Sequence, residues 1–157
     1  MGNLNHIGLD ENGANKLADK LSLLLANYSV FYQNMRSYHW NIKGDKFFEL
    51  HLKFEELYND LQLKIDEVAE RILTLGHTLE HRYSSYNSAS SIIESPKVKD
   101  GKKAVSNILE SFVVIISLHR EILDLSGDLN DEGSNALMSD YIREQEKLVW
   151  MYSSFMA

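Results

Sequence analysis

The run ANKLADKLSLLLANYSVFYQNMRSY, residues 14–38, decides the fold. Its apolar side chains fall at Ala14, Leu17, Ala18, Leu21, Leu24, Leu25, Tyr28, Phe31, Tyr32, Met35 and Tyr38. That three-and-four spacing is one face of a helix. Asn41-Ile42-Lys43-Gly44-Asp45 interrupts it as a glycine turn. The same period then resumes at Phe47, Leu50, Phe54, Leu57, Leu61, Ile65, Val68 and Ile72, a second helix ending near Gly76. Residues 83–95 are serine-rich and lose the period, which suits a long crossover holding a short helix. Ser95-Pro96 and Asp100 are alternative start signals for a third helix through Ala104, Ile108, Phe112, Ile115, Leu118 and Ile122, which stops at Gly127. After a polar turn over 128–135, Leu137, Tyr141, Leu148, Met151, Tyr152 and Phe155 carry a fourth. Short, long and short connections between four helices describe an all-α four-helix bundle with one crossover.

At 157 residues the chain is read as a single domain over 1–157, with 1–10 expected to be a mobile N-terminal segment. The absence of cysteine removes disulfides, thiolate catalysis and zinc–thiolate sites, so any metal is held by imidazole and carboxylate. The longest apolar run, near Phe112 to Leu118, is far shorter than the ~20 residues that span a bilayer. Residues 1–6 lack a signal-peptide pattern, so the cytoplasm is the expected compartment. A net charge of −7 without a lysine-rich arm offers little to nucleic acid.

The chemistry concentrates between His39 and Arg71. His51 with Glu55, and Asp66 with Glu70, are pairs four residues apart on the second helix. Eleven residues turn ~1,100°, within ~20° of whole turns, so Glu55 and Asp66 point the same way. The stripe is read as lying next to the core stripe, because His51 follows Leu50 and Asp66 follows Ile65. His51 and Asp66 are ~22 Å apart along one helix axis, so one chain cannot bring both to one ion. Two subunits paired about a two-fold axis with these helices antiparallel would set His39, His51 and Glu55 of one against Asp66 and Glu70 of the other. Two imidazoles with three carboxylates and no thiolate suit ferrous iron, with manganese and zinc as competitors.

The text His39-Trp40-Asn41-Ile42-Lys43-Gly44, then Leu50-His51 and Glu55, then Ile65-Asp66-Glu67-Val68-Ala69-Glu70-Arg71 and Leu75-Gly76 resembles the Dps family of mini-ferritins, named for DNA protection during starvation. The resemblance implies a ferritin-like bundle assembled as a hollow dodecamer. It further implies ferroxidase sites shared across two-fold interfaces, ferrous iron as substrate, hydrogen peroxide or dioxygen as oxidant, and ferric mineral as product. It places His39 and His51 as ligands from one subunit and Asp66 and Glu70 from its partner, with Glu55 where aspartate is frequent. Trp40 is read either as a plain core aromatic or as packing against the site, where it could intercept a stray oxidising radical. Asp124, Asp128 and Asp131 are candidates for an acidic iron-entry pore, with helix capping as the competing role. Arg71 is expected to form a salt bridge, and His6, His77, His81 and His119 to play surface or core roles. A DNA-compacting cage is the alternative function. A larger ferritin is disfavoured because no Glu-x-x-His pair is found.

Overall fold

In a computed structural model that describes residues 4–157, the chain forms α1 (Glu11–Asn41), α2 (Phe47–Thr74), α3 (Tyr83–Ala89), α4 (Gly101–Asp128) and α5 (Glu132–Met156). Four long helices and one short helix in the crossover match the architecture expected above, and no strand occurs among the described residues. The starts of α1, α4 and α5 are fixed by side-chain oxygens that accept otherwise orphaned backbone N–H groups. The Asp10 carboxylate accepts from Gly13 at 2.8 Å, Asp100 from Lys103 at 2.9 Å, and Asp131 from Ser134 at 3.1 Å. The competition between Ser95-Pro96 and Asp100 is thus resolved for Asp100. Gly44 and Gly76 take positive φ in the turns after α1 and α2, a conformation that costs a residue with Cβ.

The apolar stripes meet in one core, with Leu17, Leu21, Phe31 and Met35 of α1 against Phe54, Leu61 and Ile72 of α2 and Ile108, Phe112 and Ile122 of α4. Phe31 and Phe112 pack edge to face at 5.2 Å. Truncating either to alanine is expected to cost about 3–5 kcal/mol.

Several polar groups inside the bundle are paired across helices. Gln145 donates its amide N–H to the Tyr28 hydroxyl at 2.7 Å, and Tyr28 lies 2.8 Å from His119 Nε2. All three residues are buried. The Lys64 ammonium, 3 % exposed, is held by Asp60 at 2.9 Å and by Glu144 of α5 at 2.8 Å. Burial alone pushes its pKa down, but the bonds to Glu144 and Asp60 outweigh burial and leave it raised.

The crossover is fastened to α1 by two buried asparagines seven residues apart. Asn27 Oδ1 accepts from the backbone N–H groups of Ser91 and Ile92, and the Ser90 hydroxyl donates to the Ile92 carbonyl at 2.7 Å. Asn34 Oδ1 accepts from Ser95 N–H, and its amide donates to the Ile93 carbonyl. Backbone groups that would lie unpaired against the bundle are satisfied in this way. Farther along, Lys43 N–H donates to the Lys99 carbonyl at 2.8 Å, which seats the α1–α2 turn beside the start of α4.

Of the segment 1–10, residues 1–3 lie outside the described residues. Residues 4–10 form a closed turn in which Asn5 N–H donates to the Leu9 carbonyl and Asn5 Oδ1 accepts from Ile7 and Leu9. No helix among the described residues is long and apolar enough to cross a membrane.

Candidate metal centre

Where α1 ends and α2 begins, two imidazoles face one another. His39 is in the last turn of α1, where backbone carbonyls lose their helical partners. Its own carbonyl accepts a hydrogen bond from His51 Nδ1 at 2.7 Å, and the His51 carbonyl accepts one from His39 Nδ1 at 2.6 Å. A carbonyl only accepts, so both rings carry a proton on Nδ1, which leaves Nε2 as the nitrogen each neutral ring can offer to a metal. This is the backbone support that orients metal-binding histidines.

The two rings are stacked, with centroids 3.7 Å apart and planes 13° from parallel. Phe47 lies face to face on the outer side of His51 at 4.8 Å, and Tyr58 meets His39 edge-on at 5.3 Å. A metal ion binds in the plane of its imidazole at ~2 Å from nitrogen, so an ion in the plane of one ring lies ~3.5 Å from the plane of the other. A single ion cannot occupy both lone pairs.

Among the described residues of one chain, no three His, Asp or Glu side chains gather closely enough to hold a metal. Glu55 is half-buried, Asp66 and Glu70 are exposed, and none of their carboxylates forms an ion pair with a described residue. Here the reading of the stripe as adjacent to the core needs correction. Only His51 flanks the core; at ~100° per residue, Asp66 and Glu70 point away from Leu61, Val68 and Ile72, which are fully buried. The same outward stripe carries Phe48, Leu52 and Leu63, all exposed. Apolar side chains interleaved with carboxylates on an outward face mark a surface made for another protein rather than for water alone.

Trp40 is 55 % exposed, with the Arg36 guanidinium over its ring at 4.8 Å. The aromatic neighbours of the imidazoles are Phe47 and Tyr58, which the sequence reading did not single out. Phe47 is one helical turn before His51, a spacing that in retrospect carried the signal.

Asp124 and Asp128 are exposed near the end of α4. Asp131 is not available to line a pore: it is 2 % exposed, caps α5, and accepts from Arg71 at 2.7 Å, while Arg71 also donates to the Ser134 hydroxyl at 2.8 Å. Gly133 makes room for this, since a Cβ there would press on the guanidinium at 2.8 Å. The expected salt bridge of Arg71 is present, and it takes Asp131 out of the pore set. His119 is a core residue, His77 half-buried, and His6 and His81 exposed.

Comparison with known proteins agrees with this architecture. The ferritin-like domain family matches residues 18–157. The DNA protection during starvation protein of Porphyromonas gingivalis is 40 % identical over 148 residues, covering 94 % of this chain and 93 % of that one. A Haemophilus influenzae protein without an assigned function is 52 % identical over the same length. The crystal structure of the Dps protein from Vibrio cholerae O1, described as a member of a broad superfamily of ferritin-like diiron-carboxylate proteins, superposes with a TM-score of 0.97 at 54 % identity, covering 98 % of this chain and 97 % of that one. Helix order, motif text and these matches over nearly the whole length lead to one assignment: the chain belongs to the Dps family of ferritin-like proteins.

Proposed function

We propose that this protein oxidises ferrous iron at sites shared between paired subunits and stores the ferric product inside a dodecameric cage. The observation that carries the reading is the reciprocal bonding of His39 and His51, which presents two Nε2 lone pairs at the root of an unpaired acidic stripe. Free carboxylates on α2 supply the hard oxygen donors that a ferrous and then ferric ion needs.

The outward face of α2 supports the pairing. An antiparallel two-fold contact centred between Asp60 and Leu61 sets His51 opposite Glu70, Glu55 opposite Asp66, and Phe48 opposite Leu73, which is also exposed. One register thus matches imidazole with carboxylate and apolar with apolar. A groove of about 770 Å³ between α1, α2 and α3, lined by Tyr32, Gln62, Ile65 and Tyr83 among others, runs beside this face and adds surface for the partner.

Two imidazoles in parallel planes favour two ferrous ions per site, one on each Nε2, with Asp66 and Glu70 of the partner and Glu55 completing the donors. Two ions suit peroxide chemistry. One electron from each ferrous ion reduces hydrogen peroxide to two hydroxides, so no hydroxyl radical is released. Ferric ions then pass to the acidic interior and hydrolyse into mineral, while Asp124 and Asp128 offer an acidic entry for fresh ferrous ions.

The decisive experiment mixes apo-protein with ferrous salt under nitrogen, adds peroxide and follows ferric absorbance. The expected result is oxidation well above the buffer control, at two ferrous ions per peroxide. A rate equal to that control sinks the reading.

A second reading, docking of nucleic acid, draws on one observation. Lys43 and Lys46 of the first turn and Lys97, Lys99, Lys102 and Lys103 before and within α4 are all exposed, and the Lys43–Lys99 backbone bond sets the two segments side by side. The net charge of −7 keeps it second. A gel shift that survives physiological salt and vanishes on changing these lysines to glutamine would reverse the order.

A further inference from the structure

We infer that Phe47 is a positioning residue that sets the metal preference of the imidazole pair; the inference rests on the iron reading above. Each Nδ1–H···O bond anchors one corner of an imidazole, and a single bond leaves a ring free to tilt about it. Flat neighbours remove that freedom. Phe47, the first residue of α2 and packed against the core, covers the outer face of His51 at 4.8 Å and 21°. His39 covers the inner face at 3.7 Å and 13°, and Tyr58 packs nearly perpendicular to His39 at 5.3 Å.

The consequence is chemical. Copper and zinc outrank ferrous iron for nitrogen donors at an unconstrained site, so a protein that wants iron must discriminate by geometry. Two imidazoles free to converge would chelate one zinc ion tetrahedrally and block the site. Two imidazoles held parallel deny that chelate, leaving each ion one nitrogen with the rest of its donors carboxylate, a set in which zinc has less advantage. Phe47 therefore acts through His51: it keeps the two lone pairs apart.

The test uses the assembled protein with cobalt as an air-stable stand-in for ferrous iron. Cobalt stoichiometry is measured by calorimetry, and zinc competition by loss of the cobalt absorption bands. The wild type is expected to take two cobalt ions per histidine pair. Phe47→Leu is expected to take one zinc ion per pair and to raise the zinc-over-cobalt preference by at least ~10-fold, the scale on which changes to the groups that orient metal ligands act. Phe47→Tyr, which keeps the flat face, is expected to restore wild-type behaviour. Melting temperature and assembly mass are compared in parallel; should Phe47→Leu fail to assemble, Phe47→Met removes the flat face with less loss of bulk.

Unchanged stoichiometry and preference in the assembled Leu or Met variant would overturn the inference. So would an equal loss in Phe47→Tyr, which would mark Phe47 as merely structural. Wild-type cobalt binding that survives His39→Ala and His51→Ala together would instead overturn the iron reading, and this inference with it.

Discussion

His39 and His51 each donate a hydrogen bond from Nδ1 to the backbone carbonyl oxygen of the other, so neither ring is oriented without its partner. Groups that act as a unit lose function non-additively. His39→Ala and His51→Ala are each expected to slow peroxide-driven ferrous oxidation by at least ~10-fold, and the double variant to be no more than about 3-fold slower than the worse single one. Stopped-flow absorbance gives all three rates; losses that simply multiply would show that the rings act independently.

Sharing of the site across subunits predicts complementation. Chains with both histidines changed to alanine lack one half of every site, and chains carrying Asp66→Asn with Glu70→Gln lack the other. Either alone should be nearly inactive. Unfolded together and reassembled at equal amounts, half of the pairs are mixed and each mixed pair regains one of its two sites, or about a quarter of wild-type activity. Recovery no greater than the sum of the separate preparations would mean that the donors are not pooled between chains.

Asn27→Leu removes the acceptor for two backbone donors in the crossover. Buried donors left without partners cost about 1–3 kcal/mol each, less where water reaches them, so a loss of about 2–4 kcal/mol is expected in urea unfolding. Hydrogen exchange should quicken at Ser91 and Ile92 while the centre of α1 stays protected.

Asp131 and its sequence neighbours should separate cleanly. Asp131→Ala discards both a helix cap and the partner of a largely buried guanidinium, and about 2–4 kcal/mol of stability is expected to go with them. Asp124→Asn with Asp128→Asn should leave the unfolding midpoint nearly unchanged and slow iron uptake. The two measurements are urea unfolding and initial uptake rate; a slow, fully stable Asp131 variant would return that residue to the pore.

Burial, reinforced by the charges of Lys64 and Arg120, pushes His119 down to about 3. The unfolded side chain titrates near ~6.5, so between those values the unfolded chain holds a proton that the fold refuses. This contribution to stability is complete above ~6.5 and is lost as pH falls toward 3, at ~1.4 kcal/mol per unit. His119→Gln keeps an acceptor for the Tyr28 hydroxyl without the titration. Between pH 7 and 5 the wild type should lose about 2 kcal/mol more than this variant in urea unfolding, and equal losses would place the acid sensitivity elsewhere.

Helices α1, α2, α4 and α5 were legible because their apolar period is long, and α4 also because Asp100 announced its start. The ligand candidates were singled out for a different reason: imidazole and carboxylate at four-residue spacing alone suit an exposed helical pair, and it is the motif text around His39, His51 and Asp66 that turned the reading toward a metal site. What escaped was set by contacts distant in sequence. Nothing local to Asn27 announces that it will hold Ser91 and Ile92, sixty-four and sixty-five positions away. The direction of the acidic stripe was misjudged because adjacency in sequence was taken for adjacency in angle, whereas successive residues on a helix differ by ~100°. Asp131 was drawn into the pore by its company with Asp124 and Asp128, and only its pairing with Arg71, sixty residues upstream, showed otherwise.

The asparagine clasps on the crossover also bear on how the subunit comes apart. A slack connection would let the α1–α2 hairpin and the α4–α5 hairpin separate and melt as two bodies. Riveted to α1 at Asn27 and Asn34, the strap reaches the second hairpin as a short leash, so the entropy gained by releasing one hairpin alone is small. Calorimetry of the bare subunit should accordingly record one sharp peak, and cutting the rivets should broaden or split it.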